Sequence, residues 1–272
     1  MSVVSEIKFK LTIAYDGTGY VGWQVQTTGK GVQEIVEAAL ARLFSSRPQL
    51  LSSSRTDTGV HAMGMVAHFE VPRAEYKFPA NTLLLLALNA WLPSDIRVMH
   101  VARAKPDFHA RYDASGKQYR YLVWNHAAAN PILRTQSWHV PRALDLVAMR
   151  AAAKLFVGRH DFRSLAANRG DVLKDAVRTL TRCDFRRSGS QIAFTIVGDG
   201  FLYKMCRGIV GTIVQVGQGK IAAADIKRIL AHRDRRVAGM TAPACGLVLW
   251  KVYYKKGAAR KRLRERADSA LD

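Results

Sequence analysis

The 272-residue chain has few cysteines, no long apolar run and half as many acidic residues as basic ones. Its cysteines, Cys183, Cys206 and Cys245, are odd in number, far apart and never in Cys-x-x-Cys spacing. Neither a disulfide framework nor a cysteine metal site is expected, and a reduced setting fits best. The longest apolar stretch, Leu83 to Leu88, falls far short of the roughly 20 residues a membrane span needs. The opening residues show no basic region followed by an apolar one, so no secretory leader is expected and the protein is placed in the cytoplasm. There is no P-loop and no His-Glu-x-x-His, and the eight histidines fall in no ligand spacing. His61 and His68 are too far apart to argue a metal, and His160-Asp161-Phe162 reads as structural.

The shortage of acids is the informative one. Asp and Glu number 21 against 42 Lys and Arg, a formal net charge of +21. Such an excess points to a polyanionic partner, nucleic acid first and an anionic membrane surface second. Lacking an apolar span, the chain fits the membrane reading poorly. Apolar residues make up 49% of the chain, enough for one large core or two modest ones.

Periodicity orders the elements. Lys8 to Tyr15 alternates as a strand ending at the Asp16-Gly17 turn. Val32, Ile35, Val36, Ala39, Leu40, Leu43 and Phe44 recur at helical spacing, which predicts a helix over Val32 to Phe44. Gln49 to Ser54 and Met63 to Val71 read as extended, with a turn around Asp57 between them. A second helix is expected over Asn81 to Trp91, stopped by Pro93, then a strand over Ile96 to Val101. This β-α-β-β-α-β order is that of a ferredoxin-like half. The second half repeats the grammar: a strand over Lys117 to Trp124, a helical stripe from Leu144 to Leu155, a hairpin of Thr179 to Arg187 with Gln191 to Val197, helices over Leu202 to Val216 and Ala223 to Ala231, and a last strand from Leu247 to Tyr254. The fold class is α+β, with mostly antiparallel sheets in two halves. The expected organisation is 1–104, 105–254 and a basic tail, 255–272, readable as a solvated terminus or as an arm that touches phosphates.

The chemistry-bearing stretch is Ser54-Arg55-Thr56-Asp57-Thr58-Gly59-Val60-His61-Ala62. It sets one carboxylate between an arginine and a glycine turn. Asp57-Thr58-Gly59 matches the aspartic-protease triplet, but those enzymes need two such carboxylates. This chain has one copy, approached by polar rather than apolar residues. A plain turn aspartate that bonds its own backbone is the bland alternative. Three features weigh against it: Arg55 two residues away, Arg207 inside the apolar run Met205-Cys206-Arg207-Gly208-Ile209-Val210, and Tyr119 and Tyr121 alternating with Arg120. A buried arginine is costly unless it finds an acid, although it can also snorkel to solvent. Alternation puts both tyrosines on one strand face and Arg120 on the other, which ordinary packing also allows. Gly17-Thr18-Gly19-Tyr20-Val21-Gly22 fits G-x-G-x-x-G after a strand. The helix begins only near Val32, too late for a dinucleotide site, so a glycine-rich turn or bulge is the better reading.

Seven segments, in order, resemble the tRNA pseudouridine synthase A family: Tyr15 to Gln24, Arg55 to Ala62, Phe108-His109-Ala110-Arg111-Tyr112, Tyr119-Arg120-Tyr121, His160-Asp161-Phe162, Phe201-Leu202-Tyr203-Lys204-Met205 with Arg207, and Pro243-Ala244-Cys245-Gly246-Leu247. They span about residues 8 to 254. The resemblance implies two ferredoxin-like (RRM-like) halves joined around a central basic active-site cleft, and a homodimer. It implies isomerisation of uridine to pseudouridine at positions 38, 39 and 40 of the tRNA anticodon stem-loop, without cofactor or metal. The family aspartate falls on Asp57, which acts either as a nucleophile or as a base toward the ribose. Arg207 becomes the cationic partner of that acid. Tyr119 stacks on the uracil, Arg55 helps hold the base out of the stem, and Lys204 falls among the substrate-binding residues. The chain departs from the family pattern at Ser54, where glycine is common, and at Met65, where glutamine is common. A catalytically silent RNA-binding or chaperone module on the same fold, and the same isomerase acting on another RNA, are the alternatives.

Overall fold

Strand β1 (Glu6–Tyr15) buries every second residue: Phe9, Leu11 and Ile13 are fully buried and Tyr15 nearly so. That period of two is what a half-covered sheet requires, and each fully buried side chain contributes about 1.5–3 kcal/mol. The computed structural model describes residues 5–167 and 175–254; the basic tail lies outside the described residues. The chain divides into two compact units, Met1–Ser115 together with the stretch from Trp250, and Gly116–Leu249.

In the first unit β1 is followed by α1 (Val32–Leu43), β2 (Leu51–Ser52), β3 (His61–Pro72), α2 (Asn81–Trp91) and β4 (Ile96–Arg103). The strands lie side by side in the order β4-β1-β3-β2, all antiparallel. This is the ferredoxin-like arrangement expected from the element order. Phe9 faces Phe69 and Tyr15 faces Ala62 across β1 and β3. A slip of one residue would turn this whole apolar set outward. Helix α1 buries Val32, Val36, Ala39 and Leu40, a stripe of helical period. Helix α2 ends where Leu92 turns extended, with φ −87° and ψ 143°, the conformation forced on a residue before proline.

Residues 105–115 also fold with this unit, although the sequence expectation puts the boundary near Ala104-Lys105. Lys8 Nζ donates to the Phe108 carbonyl at 2.9 Å, and Tyr254 Oη to the Ala110 carbonyl at 2.7 Å. Tyr254 ends β10 (Leu247–Tyr254), whose return to the first unit is a non-local contact that no local pattern encodes. Gly64 on β3 lies so close to this strand that a Cβ there would come within 2.5 Å of the Trp250 carbonyl oxygen.

The second unit holds most of β5 (Ala114–Trp124), then β6 (Trp138–His139), α3 (Leu146–Leu155), β7 (Gly158–Asp161), β8 (Val177–Ser188), β9 (Gln191–Gly198), α4 (Met205–Gly217) and α5 (Asp225–His232). Its strand order is β5-β9-β8-β7, antiparallel, with the short β6 parallel to β5. Strands β5, β8 and β9 take the places of the first, second and third ferredoxin strands, and β7 is added at the edge. Helix α3 starts at Asp145, whose Oδ1 accepts from the Val147 and Ala148 amides at 2.9 and 3.0 Å, satisfying two of the helix's open donors. In α4, 11 of 13 residues are buried. Its glycines permit backbone-to-backbone packing, since a Cβ at Gly208 would lie 2.4 Å from the Leu165 carbonyl oxygen.

Candidate active site

Asp57 sits in the loop between β2 and β3, half-buried, between the exposed Arg55 and Thr58. Buried residues on either side anchor it. Thr56 Oγ1 shares a 2.8 Å hydrogen bond with Tyr15 Oη at the end of β1. Burial drives the Tyr15 hydroxyl far above its ordinary pKa, so it stays protonated. On the far side the Val60 amide donates to the Asp57 carbonyl at 3.1 Å. Gly59 occupies φ +74°, a conformation that suits glycine. The carboxylate is therefore carried by a closed turn with a fixed backbone. A carboxylate so placed can act as an oxygen nucleophile or as a base.

What holds the turn is the glycine-rich segment after β1. The Trp23 amide donates to the Thr56 carbonyl at 3.2 Å, and the Gly59 amide to the Tyr20 carbonyl at 3.3 Å. Thr58 Oγ1 donates to the Val21 carbonyl at 3.1 Å. Gly22, at φ +107°, lies directly against the loop: a Cβ there would be 2.5 Å from the Thr56 carbonyl oxygen and 3.1 Å from the Asp57 carbonyl carbon. At Gly17 a Cβ would be 2.1 Å from the Val60 carbonyl oxygen, whereas at Gly19 it would meet nothing within 4 Å. The motif is thus a backing plate for the aspartate loop, as the turn reading anticipates in kind. Two of its three glycines are there for close approach. The segment is tied down in turn. Tyr20 Oη donates to Asp95 Oδ1 at 2.7 Å, and the Gly17 amide donates to Nδ1 of the buried His61 at 3.1 Å. Tyr15, Thr56, Trp23, His61 and Asp95 have no assigned role in the sequence reading. The signal available was the glycine spacing, but its target, 35 residues on, is visible only in the fold.

Tyr119, Arg207 and Lys204 belong to the second unit. Tyr119 and Tyr121 are both buried on β5 while Arg120 between them is exposed, as the alternation requires. The Tyr119 ring meets Phe201 edge-on, centroids 4.9 Å apart and planes at 76°. Tyr121 Oη donates to the Pro243 carbonyl at 2.8 Å. Arg207, on the first turn of α4, is half-buried. Its Nε donates to the Ala242 carbonyl at 2.7 Å, and the Ala242 amide donates back to the Arg207 carbonyl at 3.0 Å. This pair of bonds locks helix to loop and fixes the root of the guanidinium. Burial raises the pKa values of the Tyr121 hydroxyl and the Cys245 thiol, while the Arg207 charge opposes both. Cys245 is thus kept as a thiol rather than a nucleophile.

Lys204 stands just before α4 in the left-handed region, φ 59° and ψ 7°, with Nζ 4.9 Å from the Tyr203 ring centre. This is why the helix begins at Met205 rather than at Leu202 as its periodicity suggests: a left-handed residue cannot continue a right-handed helix. Ser54 and Met65, the two departures from the family pattern, are both buried. The Ser53 hydroxyl lies 3.7 Å from Met65 Sδ. Among the described residues no group of three or more His, Cys, Asp or Glu side chains is placed to hold a metal ion, and no helix is long and apolar enough to cross a membrane.

Comparison with known proteins supplies the family. The model of a family described as tRNA pseudouridine synthase matches residues 11–113 and 152–255. The tRNA pseudouridine synthase A of Acetivibrio thermocellus is 44% identical over 249 residues, 90% of this chain and 98% of that protein. That of Geobacillus kaustophilus is 44% identical over 91% of this chain and 95% of its own length, and that of Methylacidiphilum infernorum 40% over 91% and 96%. The matched residues include the Asp57 loop, its glycine backing and Arg207. This chain belongs to the tRNA pseudouridine synthase A family, a family of isomerases.

Proposed function

We propose that this protein converts uridine to pseudouridine in tRNA, at positions 38, 39 and 40 of the anticodon stem-loop, with Asp57 as the catalytic residue. The reading is supported above all by the half-buried Asp57, carried on a turn that the 15–23 segment braces at four points. RNA affinity alone gives no reason to immobilise an acid in a chain of charge +21.

The reaction breaks the C1′–N1 bond and forms C1′–C5. A proton leaves C5 and N1 gains one, so electrons balance without an oxidant or reductant. Asp57 attacks the ribose or the base, or removes the C2′ proton, and either role requires the ionised carboxylate. Extruding a paired base costs a few kcal/mol. Stacking on Tyr119 offsets about 1–3 kcal/mol of that, and Arg55 helps hold the base out of the stem. Arg207 is the cationic residue of the proposed set, and Lys204 takes a phosphate. The protein works as a homodimer in the cytoplasm, which light scattering checks through a mass of twice 30.2 kDa.

The test is tritium release from tRNA labelled at uridine C5. Wild-type protein releases tritium, and Asp57→Asn releases none while still binding the tRNA. A wild-type protein that releases none from any tRNA refutes the reading in favour of a silent RNA-binding module. Carbodiimide mapping then names the positions.

A further inference from the structure

The segment Phe108-His109-Ala110-Arg111-Tyr112 carries family resemblance but has no part in the chemistry above. It lies wholly within the first unit and is fastened with unusual care. The Ala110 amide donates to Nδ1 of the buried His68 at 3.2 Å, and the Ala110 carbonyl accepts from Tyr254 Oη at 2.7 Å. His109 closes the turn on itself. Its own amide donates to Asp113 Oδ2 at 2.9 Å, and its Nδ1 accepts from the Arg111 and Tyr112 amides at 3.1 and 3.3 Å. Below, Lys8 Nζ holds the Phe108 carbonyl at 2.9 Å.

All this fixes a turn whose outermost side chains, Arg111 and Tyr112, are exposed. Tyr112 is 46% exposed, yet its ring is seated on His109, centroids 4.3 Å apart and planes at 35°. His109 meets the buried His68 at 4.8 Å. The Arg111 guanidinium stands 5.8 Å from the Tyr112 ring centre, and among the described residues no carboxylate lies within ion-pair distance of it. His68 is held neutral, its pKa pulled down to about 4 by burial and then by the charges of His109 and Lys8. It therefore accepts from Ala110 at ordinary pH and keeps the turn closed.

A rigid exposed aromatic beside an uncommitted arginine has the two elements of single-strand RNA recognition: a face for an unpaired base and a cation for its phosphate. We infer that the 108–112 turn is an RNA contact outside the catalytic set, with Tyr112 stacking on an unpaired nucleotide of the substrate and Arg111 pairing with its phosphate. The inference rests on the tRNA reading above for the identity of the RNA. The hydrogen bonds that close the turn use the Arg111 and Tyr112 backbone amides and leave the side chains of this exposed pair outside that network.

The experiment is fluorescence-anisotropy binding of an unmodified tRNA transcript to the full chain, over a series of salt concentrations, beside tritium release. Tyr112→Ala raises Kd about fivefold to a hundredfold, the loss of one stacking contact, while Tyr112→Phe stays within about twofold of wild type. Arg111→Gln weakens binding and lowers the slope of log K against log salt by about 0.7–0.9, one phosphate's share. In tritium release both losses fall on KM, with kcat retained, and thermal stability is unchanged. Wild-type Kd and salt slope in Tyr112→Ala and Arg111→Gln overturn the inference, whatever the activity. A wild-type protein without tritium release overturns the catalytic reading instead, and the anisotropy series still decides on the turn. Equal losses in Tyr112→Ala and Tyr112→Phe, together with a lowered Tm, would assign the residue to packing and refute the contact.

Discussion

Replacing Gly22 by alanine adds one methyl group about 35 residues from Asp57 in sequence, yet directly behind the proposed catalytic loop. The new Cβ would stand 2.5 Å from the Thr56 carbonyl oxygen, 3.1 Å from the Asp57 carbonyl carbon and 3.3 Å from the Thr58 nitrogen. All three are backbone atoms, so no side chain can swing aside. Relief to an ordinary contact of about 3.4 Å moves the loop by about 0.9 Å, and misplacement of this order costs up to about 10²-fold in rate. The native φ of +107° adds strain of about 1–3 kcal/mol for a residue with a side chain. At about 2–4 °C per kcal/mol for a chain of this size, Tm falls by roughly 2–12 °C. Single-turnover tritium release should show kcat reduced on the order of 10- to 100-fold, with tRNA Kd near that of wild type. Gly19→Ala is the internal control. It lies three residues away in the same motif, meets nothing within 4 Å, and should be silent. If Gly22→Ala kept full kcat, or if Gly19→Ala matched its defect, the bracing of Asp57 by this segment would be refuted.

Two further outcomes follow from features of each unit. The His68 imidazole is lowered to about 4 by burial, then by His109 and Lys8, so between pH 6.5 and 4 the unfolded chain binds a proton that the native one does not. Its contribution to stability is whole above pH 6.5 and is lost as pH falls toward 4. Between pH 7 and 5, urea denaturation should cost wild type about 1–2 kcal/mol more than the non-titrating His68→Asn; equal losses would contradict this. In the second unit, a Cβ at Gly211 would come within 1.9 Å of the Met240 carbonyl oxygen. Gly211→Ala should therefore cost about 3 kcal/mol through overpacking, read as a Tm drop of roughly 6–12 °C. An unshifted Tm would show that α4 is free to move.

Elements with a strong period were legible. Asn81–Trp91 and Leu247–Tyr254 coincide with their expected spans, because an apolar stripe ended by Pro93 and a run of branched and aromatic residues each admit one reading. The strand β6, two residues long and parallel to β5, is too short to carry a period and went unexpected. So did β7 (Gly158–Asp161), where His160 and Asp161 mask the strand signal. The start of α4 depended on one backbone torsion at Lys204 that its side chain does not advertise. The residue types of Asp57 and Arg207 drew the proposal of chemistry. The supports did not, since Tyr15, Gly22 and Asp95 reach the loop or its backing through contacts 34 to 75 residues apart in sequence.

The brace behind Asp57 also sets an order of events in folding. Its contacts join residues 15–23 to 56–59, the same long-range closure that pairs β1 with β3, where Tyr15 faces Ala62. Loop closure over such distances is slow compared with the local steps of helix formation. A chain still emerging or half-folded can already hold α1, but its aspartate then hangs on an unbraced loop. If Asp57 has the proposed role, catalytic competence then waits on completion of the first sheet, and an incompletely folded chain would bind RNA without altering it.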